Sequence, residues 1–568
     1  MSYDSGSTVS VDRLGLFPRC LWLGILLVLA LGWSGPTSLA QDSGCIPLPD
    51  DATLESQDVR IGKVRVRIND IFDLDDPKEN KKLFRLVNRL HFDTSSSVVH
   101  NLLLFREGDA FDRRLLDETE RLLRAERIFS DAFITADQLC GDAVDLTVDV
   151  KDVWTLFLSA GFSRSGGKNT TRFEIEDANF LGTGKDVAVE QRSNVDRDST
   201  LGRYRDHNFL GSRTRLELWY ADNSDGSFQV FDLRQPFYAL DTRFSAGLRV
   251  RIDDRVDKLY RLGKIFSSFR HEQDFIDAFV GRSKGLQNGR VMRWLVGATY
   301  LADYFSKAPG EVEPVFIPED RILSYPWIGF EYLEDDFREL NNLDQIARTE
   351  DLSLGLRASG RVGYSSEALG GDADRVVFNL NLSQGFEFGD RGMVLASAGT
   401  SGRWGEEGSE NWVTGAQGRL YWRNFGRHLF FATLGVDVAD NLDFDNQLLL
   451  GGDNGLRGYP LRYQEGDHRV LLTLEQRFYT SLQILRVVQV GGAVFFDVGR
   501  SWFEGEQQFP PTREVRATGW LKDAGFGLRL TSNRSGRGTM VHVDIAFPLD
   551  GDSSIDEVQW LVKTRESF

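Results

Sequence analysis

The chain has 568 residues, room for two to four ordinary domains. With 41% hydrophobic and 27% charged residues it is too rich in core formers to be a disordered chain, and 56 Gly with 12% aromatics favour strands and turns over long helices. A net charge of -18 excludes a typical nucleic-acid binder, which needs clustered Lys and Arg to meet phosphates.

Residues 1–40 read as a secretory signal peptide. Arg13 and Arg19 precede an apolar run over 21–31, and Ser38-Leu39-Ala40 supplies small residues for cleavage. The run is short for a membrane span, and no later stretch is apolar enough for a spanning helix. A short lead over 41–57 follows. Cys45 and Cys140 are the two cysteines after the signal. In an oxidising compartment they suggest one disulfide, closing a loop of about 95 residues worth about 4–5 kcal/mol; two free thiols are the alternative.

Residues 58–152 alternate strand and helix signals. Positions 59–68 are apolar at every second residue, as in a strand with one buried face. Asp76-Pro77 predicts a helix start, with Leu83, Leu86, Val87 and Leu90 at helical spacing. Positions 94–105 read as a second helix. Asp112 caps a third, with Leu115, Thr119, Leu122 and Leu123 on one face. Strands are expected over 129–136 and 143–150. The order β-α-α-β-β, with one extra helix inserted early, describes a small α+β domain.

From 153 to 568 the period is 2 almost throughout. Phe244, Ala246, Leu248 and Val250 alternate with Arg and small residues, and Val541, Val543, Ile545 and Phe547 alternate with His542 and Asp544. A soluble sheet of that length would leave long open edges, whereas a closed barrel with lipid outside and a polar lumen has none. Asp177-Ala178-Asn179-Phe180-Leu181-Gly182 returns 29 residues later as Asp206-His207-Asn208-Phe209-Leu210-Gly211. Each unit is thus a hairpin of two strands of about ten residues. Trp154, Trp219, Trp422 and Trp560 are expected in interfacial belts.

The most specific pattern lies late in the chain. Gly455-Leu456-Arg457-Gly458-Tyr459 sets a lone Arg between glycines. Alternation over 470–478 turns Glu475 inward, and in Phe495-Phe496-Asp497-Val498-Gly499 it turns Phe495, Asp497 and Gly499 inward. A planar guanidinium can serve both carboxylates. His542 and Asp544 share a face without a Ser placed beside them, and no phosphate loop or metal cluster stands out. Neither an enzyme nor a cofactor is expected.

These residues resemble the outer-membrane barrel-assembly superfamily of BamA/TamA type, the bacterial surface antigen proteins. Leu456–Tyr459 matches the loop motif that tucks into the lumen in that family. The segment 495–499 matches its acidic strand, and Glu475 its strand glutamate. Residues 105–109 and 128–130 resemble the last POTRA domain before the barrel. The resemblance implies a transmembrane antiparallel β-barrel of about 16 strands over 153–568, preceded by one periplasmic POTRA-like domain over 58–152. It implies a loop lock of Arg457, Gly458, Tyr459, Glu475, Phe495, Asp497 and Gly499, and a terminal Phe568 as assembly signal. The implied partners are outer-membrane lipids, unfolded outer-membrane or secreted client proteins, and periplasmic accessory proteins. A secretion pore for a dedicated partner and a passive structural barrel are the alternatives.

Overall fold

Two structured parts follow one another along the chain. The computed structural model describes residues 45–566, apart from 47, 342, 345, 347–348, 427, 486, 505–518, 533–538 and 552–554. The expected signal peptide and Phe568 lie outside the described residues.

The first part is an α/β domain. Its elements are α1 (Asp51–Ser56), β1 (Arg60–Asn69), α2 (Lys82–Leu90), α3 (Ser96–Leu102), α4 (Arg113–Ala125), β2 (Phe129–Cys140) and β3 (Ala143–Asp152). The sheet order is β2, β3, β1, with β1 parallel to β3 and the segment Cys45–Ile46 on the outer edge of β2. Alternation in β1 turns Val64, Val66 and Ile68 toward the helices, and a register shift between Ile61 and Val64 brings Ile61 into the same core. Leu116, Thr119 and Leu123 bury one face of α4 on the sheet, and the Asp112 side chain accepts from Leu115 N as its cap. Cys45 and Cys140 face each other in the sheet register and are joined as a disulfide.

One expectation for this domain fails. Asp76-Pro77 opens a single turn, closed by Asn80 N on Asp76 O, and α2 begins only at Lys82. The Asp73 N–H donates to Glu79 Oε2 and holds the turn folded back on itself. Within α2, Phe84 is buried, while Leu83, Leu86 and Leu90 are exposed.

The second part is a closed antiparallel barrel. It has 20 strands among the described residues, not about 16. Short connections account for the difference. The first six strands, from Leu156–Ser165 to Gly226–Gln235, are nine or ten residues each and follow the hairpin repeat. Later strands lengthen to 24 residues at Lys264–Gln287, but most turns stay tight, so long loops do not consume the chain.

The Asn-Phe-Leu-Gly repeat encodes one turn twice. Leu181 and Leu210 take left-handed backbone at φ 53 and 55. Asp177 and Asp206 each accept from the N–H two residues on, at 3.0 Å. Both turns lie at the end of the barrel beside the α/β domain: Ser95 N donates to Gly182 O, and Arg213 donates to Leu103 O.

The wall separates two chemistries. Leu158, Phe173, Ile175, Val189, Tyr220 and Phe526 stand exposed on the outside. Buried charged residues such as Glu176, Asp232, Asp303 and Arg403 face the interior. Trp422 and Trp560 belong to the outer surface, stacked on Phe388 and Phe162. Two other tryptophans do not join a belt. Trp219 turns inward beside Arg203, and Trp154 packs against the cluster of Ile71, Phe72 and Phe84. Among the described residues no helix is long and apolar enough to cross a membrane.

An unexpected hairpin lies between the tenth strand (Arg321–Glu334) and the eleventh (Arg357–Ser365). Phe337–Asn341 pairs with Thr349–Ser353. Leu343, Ile346 and Leu354 bury themselves among Met393, Tyr421, Phe431, Tyr479 and Met540 of the inner wall. The hairpin therefore occupies the barrel mouth on the side of the α/β domain.

Candidate functional site

Four neighbouring strands each aim one carboxylate inward. Glu475 lies on the sixteenth strand (His468–Ile484), Asp497 on the seventeenth (Val488–Trp502), Asp523 on the eighteenth (Leu521–Thr531) and Asp544 on the nineteenth (Thr539–Pro548). All four are buried. Alternation alone places them, because successive side chains on a strand point to opposite faces. Each would be strongly unfavourable as an unpaired charge.

The long loop before the sixteenth strand supplies the cation. Leu448–Leu450 pairs with Gln464–Gly466 and turns the intervening residues into the lumen. Arg457 Nε and Nη2 donate to the two oxygens of Asp497 at 2.7 and 2.9 Å. Its Nη1 reaches Glu475 at 3.1 Å and Asp544 at 3.4 Å. The guanidinium lies 3.3 Å from the Phe495 ring centroid, so the aromatic face supports it from the side without carboxylates. Gly458 N donates to Asp523 Oδ2 at 3.0 Å. A Cβ on Gly458 would meet Asp523 Cβ at 2.7 Å, which explains the absence of a side chain there. The Tyr459 hydroxyl donates toward the carbonyls of Lys522 and Asp550 at 2.7 and 3.0 Å. Gly499 admits Leu450 and Leu471 against the wall.

The structure thus brings Arg457, Gly458, Tyr459, Glu475, Phe495, Asp497 and Gly499 into one cluster. Four partners were missed in the sequence, the first being Asp523, which accepts from Gly458 N. Arg529 bonds Glu475 at 3.0 Å and also Asp544. Asp544 was legible as inward-facing, but its tie to Arg457 was not. Arg477 donates to Glu475 at 2.9 Å, to Asp344 at 3.0 Å and to Leu343 O at 2.7 Å. The hairpin in the mouth is therefore bonded to the same cluster. On its other side Arg124 of α4 donates to Asp351 at 2.9 and 2.8 Å and to Glu339 at 2.5 Å. The hairpin is thus tied by charged contacts on both sides, to the α/β domain through Arg124 and to the loop cluster through Arg477.

The barrel closes where its first and last strands meet. The first strand pairs with the second along its whole length, Leu156–Ser165. With the last strand (Gln559–Glu566) it shares, among the described residues, the register pair Val562–Arg164. Across the junction Phe162 stacks on Trp560 at 6.0 Å, and Arg164 lies over the same indole at 5.1 Å. The loop straddles this junction. Gly452 O accepts from Ser165 Oγ of the first strand and from Lys563 Nζ of the last, the latter at 2.7 Å. Arg462 forks onto both oxygens of Asp196, at 2.7 Å each, and fixes the loop to the turn between the third and fourth strands.

The α/β domain docks through charged pairs. His207, in the second Asn-Phe-Leu-Gly turn, meets Glu126 at 2.7 Å. The hydrogen bond from Glu126 holds the imidazole above its ordinary value, against burial. Burial alone would raise the Glu126 carboxyl, but the His207 contact overrides it and holds it low. Arg114 bonds Asp241 at 2.6 Å. Among the described residues, His91, Asp93 and Asp152 form the group compatible with a metal. Asp152 already accepts from Thr94 N and Oγ1 at 2.9 and 2.8 Å and lies 3.0 Å from His91 Nε2, so it serves as a hydrogen-bonded joint.

No protein-family model matches the chain. No curated protein matches it either. Solved structures similar to it include BamA from Haemophilus ducreyi lacking POTRA domains 1–3, at 13% identity and a TM-score of 0.39, covering 89% of this chain and 85% of that one. CdiB from Acinetobacter baumannii is similar at 12% identity and 0.38, covering 89% and 73%. CdiB from Escherichia coli is similar at 11% identity and 0.43, covering 89% and 76%.

Proposed function

We propose that the chain is an outer-membrane barrel of the BamA/TamA superfamily that assembles or translocates proteins, with its α/β domain acting as one POTRA-like module in the periplasm. The wall supports the membrane placement: an apolar exterior of this extent is a liability in water, and closure leaves no open edge in lipid. The seam carries the functional reading. A passive pore gains nothing from a loop held at once by the first strand, through Ser165, and by the last, through Lys563, whereas a barrel that opens toward lipid between those strands uses it as a latch. The seated Arg457 loop then holds the closed state, and its release accompanies opening. Unfolded outer-membrane or secreted proteins are the clients, periplasmic accessory proteins the helpers, and Phe568 the signal for the barrel's own assembly. Folding of the client supplies the free energy, without cofactor or nucleotide.

A secretion pore for a dedicated partner is the second reading. It is favoured by a cavity in the lumen whose lining includes Arg357, Asn381, Gln417, Asp437 and Arg469. Depletion of the protein followed by outer-membrane proteomics separates the readings. Assembly predicts loss of several barrel proteins. Loss of one large secreted protein alone supports the pore, and an unchanged proteome with steady ion conductance refutes both.

A further inference from the structure

Residues 78–92 are a local exception in an acidic chain. Lys78, Lys81, Lys82, Arg85 and Arg89 stand there against Glu79 alone. At 3.6 residues per turn the α2 helix has three distinct stripes. Phe84, Val87, Asn88 and His91 form the first, which faces the protein. Phe84 stacks on Phe72 at 4.1 Å, Asn88 bonds Phe72 O at 2.8 Å, and His91 meets Asp152. Leu83, Leu86 and Leu90 form the second, 61%, 50% and 60% exposed, continued by exposed Phe92. Lys82, Arg85 and Arg89 form the third, also exposed. An amphipathic core helix would have one apolar stripe; this one has a second that the described residues leave uncovered.

Its position gives that stripe a neighbour. The Phe72–Phe84 cluster packs on Trp154, just before the first barrel strand, and on Val487, in the turn between the sixteenth and seventeenth strands. The helix therefore crosses the barrel rim beneath the wall sector that contains the seam. The barrel surface at both contact points is apolar and exposed, with Leu156 and Leu158 on one side and Leu482, Ile484 and Leu485 on the other. The uncovered leucines continue that surface, and the flanking cations complement a negatively charged boundary.

We propose that α2 is an interfacial anchor that lies in the periplasmic leaflet of the membrane and binds anionic phospholipid. Leu83, Leu86, Leu90 and Phe92 enter the boundary between headgroups and acyl chains. Lys82, Arg85 and Arg89 reach the lipid phosphates, with their stems along the apolar surface. The proposal rests on the outer-membrane reading and adds a lipid-binding surface to it, placed beneath the junction of first and last strands.

The test uses the full chain in nanodiscs, with Leu86→Cys carrying a bimane label. Doxyl-labelled phosphatidylglycerol should quench the label about fivefold more strongly than doxyl-labelled phosphatidylcholine, the preference expected from about one basic side chain's attraction to an anionic surface. Aqueous iodide should reach it poorly. Combined Lys82→Glu, Arg85→Glu and Arg89→Glu should remove the preference while the barrel stays heat-modifiable. Equal quenching by the two lipids overturns the proposal, as does free access of iodide. Iodide protection that depends on two chains sharing a disc assigns the stripe to a second copy and overturns it as well. A chain that fails to insert into the disc refutes the outer-membrane reading instead, so the two failures are distinct.

Discussion

Arg457 and Asp497 do not contribute symmetrically, and a double-mutant cycle should expose this. Arg457→Ala removes the one cation paired with Asp497 among the described residues. Asp497 then stands fully buried opposite Asp523 on the next strand, while Glu475 keeps Arg477 and Arg529. Stranding a buried charge costs about 3–5 kcal/mol. Asp497→Ala leaves Arg457 with Glu475 and Asp544, so only hydrogen bonds to a charged group are lost, about 1.5–3 kcal/mol. The double mutant removes the stranded carboxylate and should lie below Arg457→Ala in cost. The assay is protease accessibility of residues 455–459 in the folded barrel. Arg457→Ala should raise the released population about 150- to 5000-fold, and adding Asp497→Ala should reverse part of that rise. Additive defects, or a loop equally protected in all three variants, would refute the reasoning, because contacting residues in one network do not act independently.

Gly458→Ala should expose the same loop without any change of charge, since its Cβ would collide with Asp523 Cβ at 2.7 Å and press on Pro548 N at 3.0 Å; the same protease assay reads it. Docking of the α/β domain should depend on pH through His207 and Glu126. The raised His207 value makes its contribution complete below the ordinary 6.5 and lost as pH climbs through the higher folded value. The lowered Glu126 value makes its contribution complete above the ordinary 4.5 and lost as pH falls through the lower one. Spin-label distances between domain and barrel should therefore be tightest between those limits, and the alkaline limb should vanish in His207→Gln. Cys45→Ser opens a loop of sequence separation 95 and should cost the domain about 4–5 kcal/mol of stability. Denaturant unfolding followed at the domain should show that loss, with the barrel transition unmoved.

Much of this architecture is written in periodicity. Glu475, Asp497 and Asp544 could be placed inward from alternation alone, because a strand has only two faces. Strand number was not legible. It depends on where turns fall and on strand length, which is nine residues in Lys185–Ser193 but 24 in Lys264–Gln287. The mouth hairpin escaped for a related reason. Phe337–Asn341 and Thr349–Ser353 look like one more wall hairpin, and only tertiary contacts from Leu343 and Asp344 to Tyr479 and Arg477 turn it inward. Trp219 faced inward where an interfacial place was expected, since its neighbour Arg203 offers a cation to the ring. The leucines of α2 had the spacing of a core helix, yet the core used Phe84 and Val87, one position removed. Period identifies a helix; it does not tell which of two apolar stripes the protein keeps.

The carbonyl of Gly452 accepts from Ser165 near the start of the barrel and from Lys563 near its end. Those donors are almost 400 positions apart in synthesis order, yet they meet on one oxygen. A barrel still lacking its final strand can offer the loop only one of them, however well its remaining wall is formed. Full seating of the loop is thus a signal of completion, given once both ends of the sheet have arrived, and a truncated chain is marked by a loop that never comes to rest.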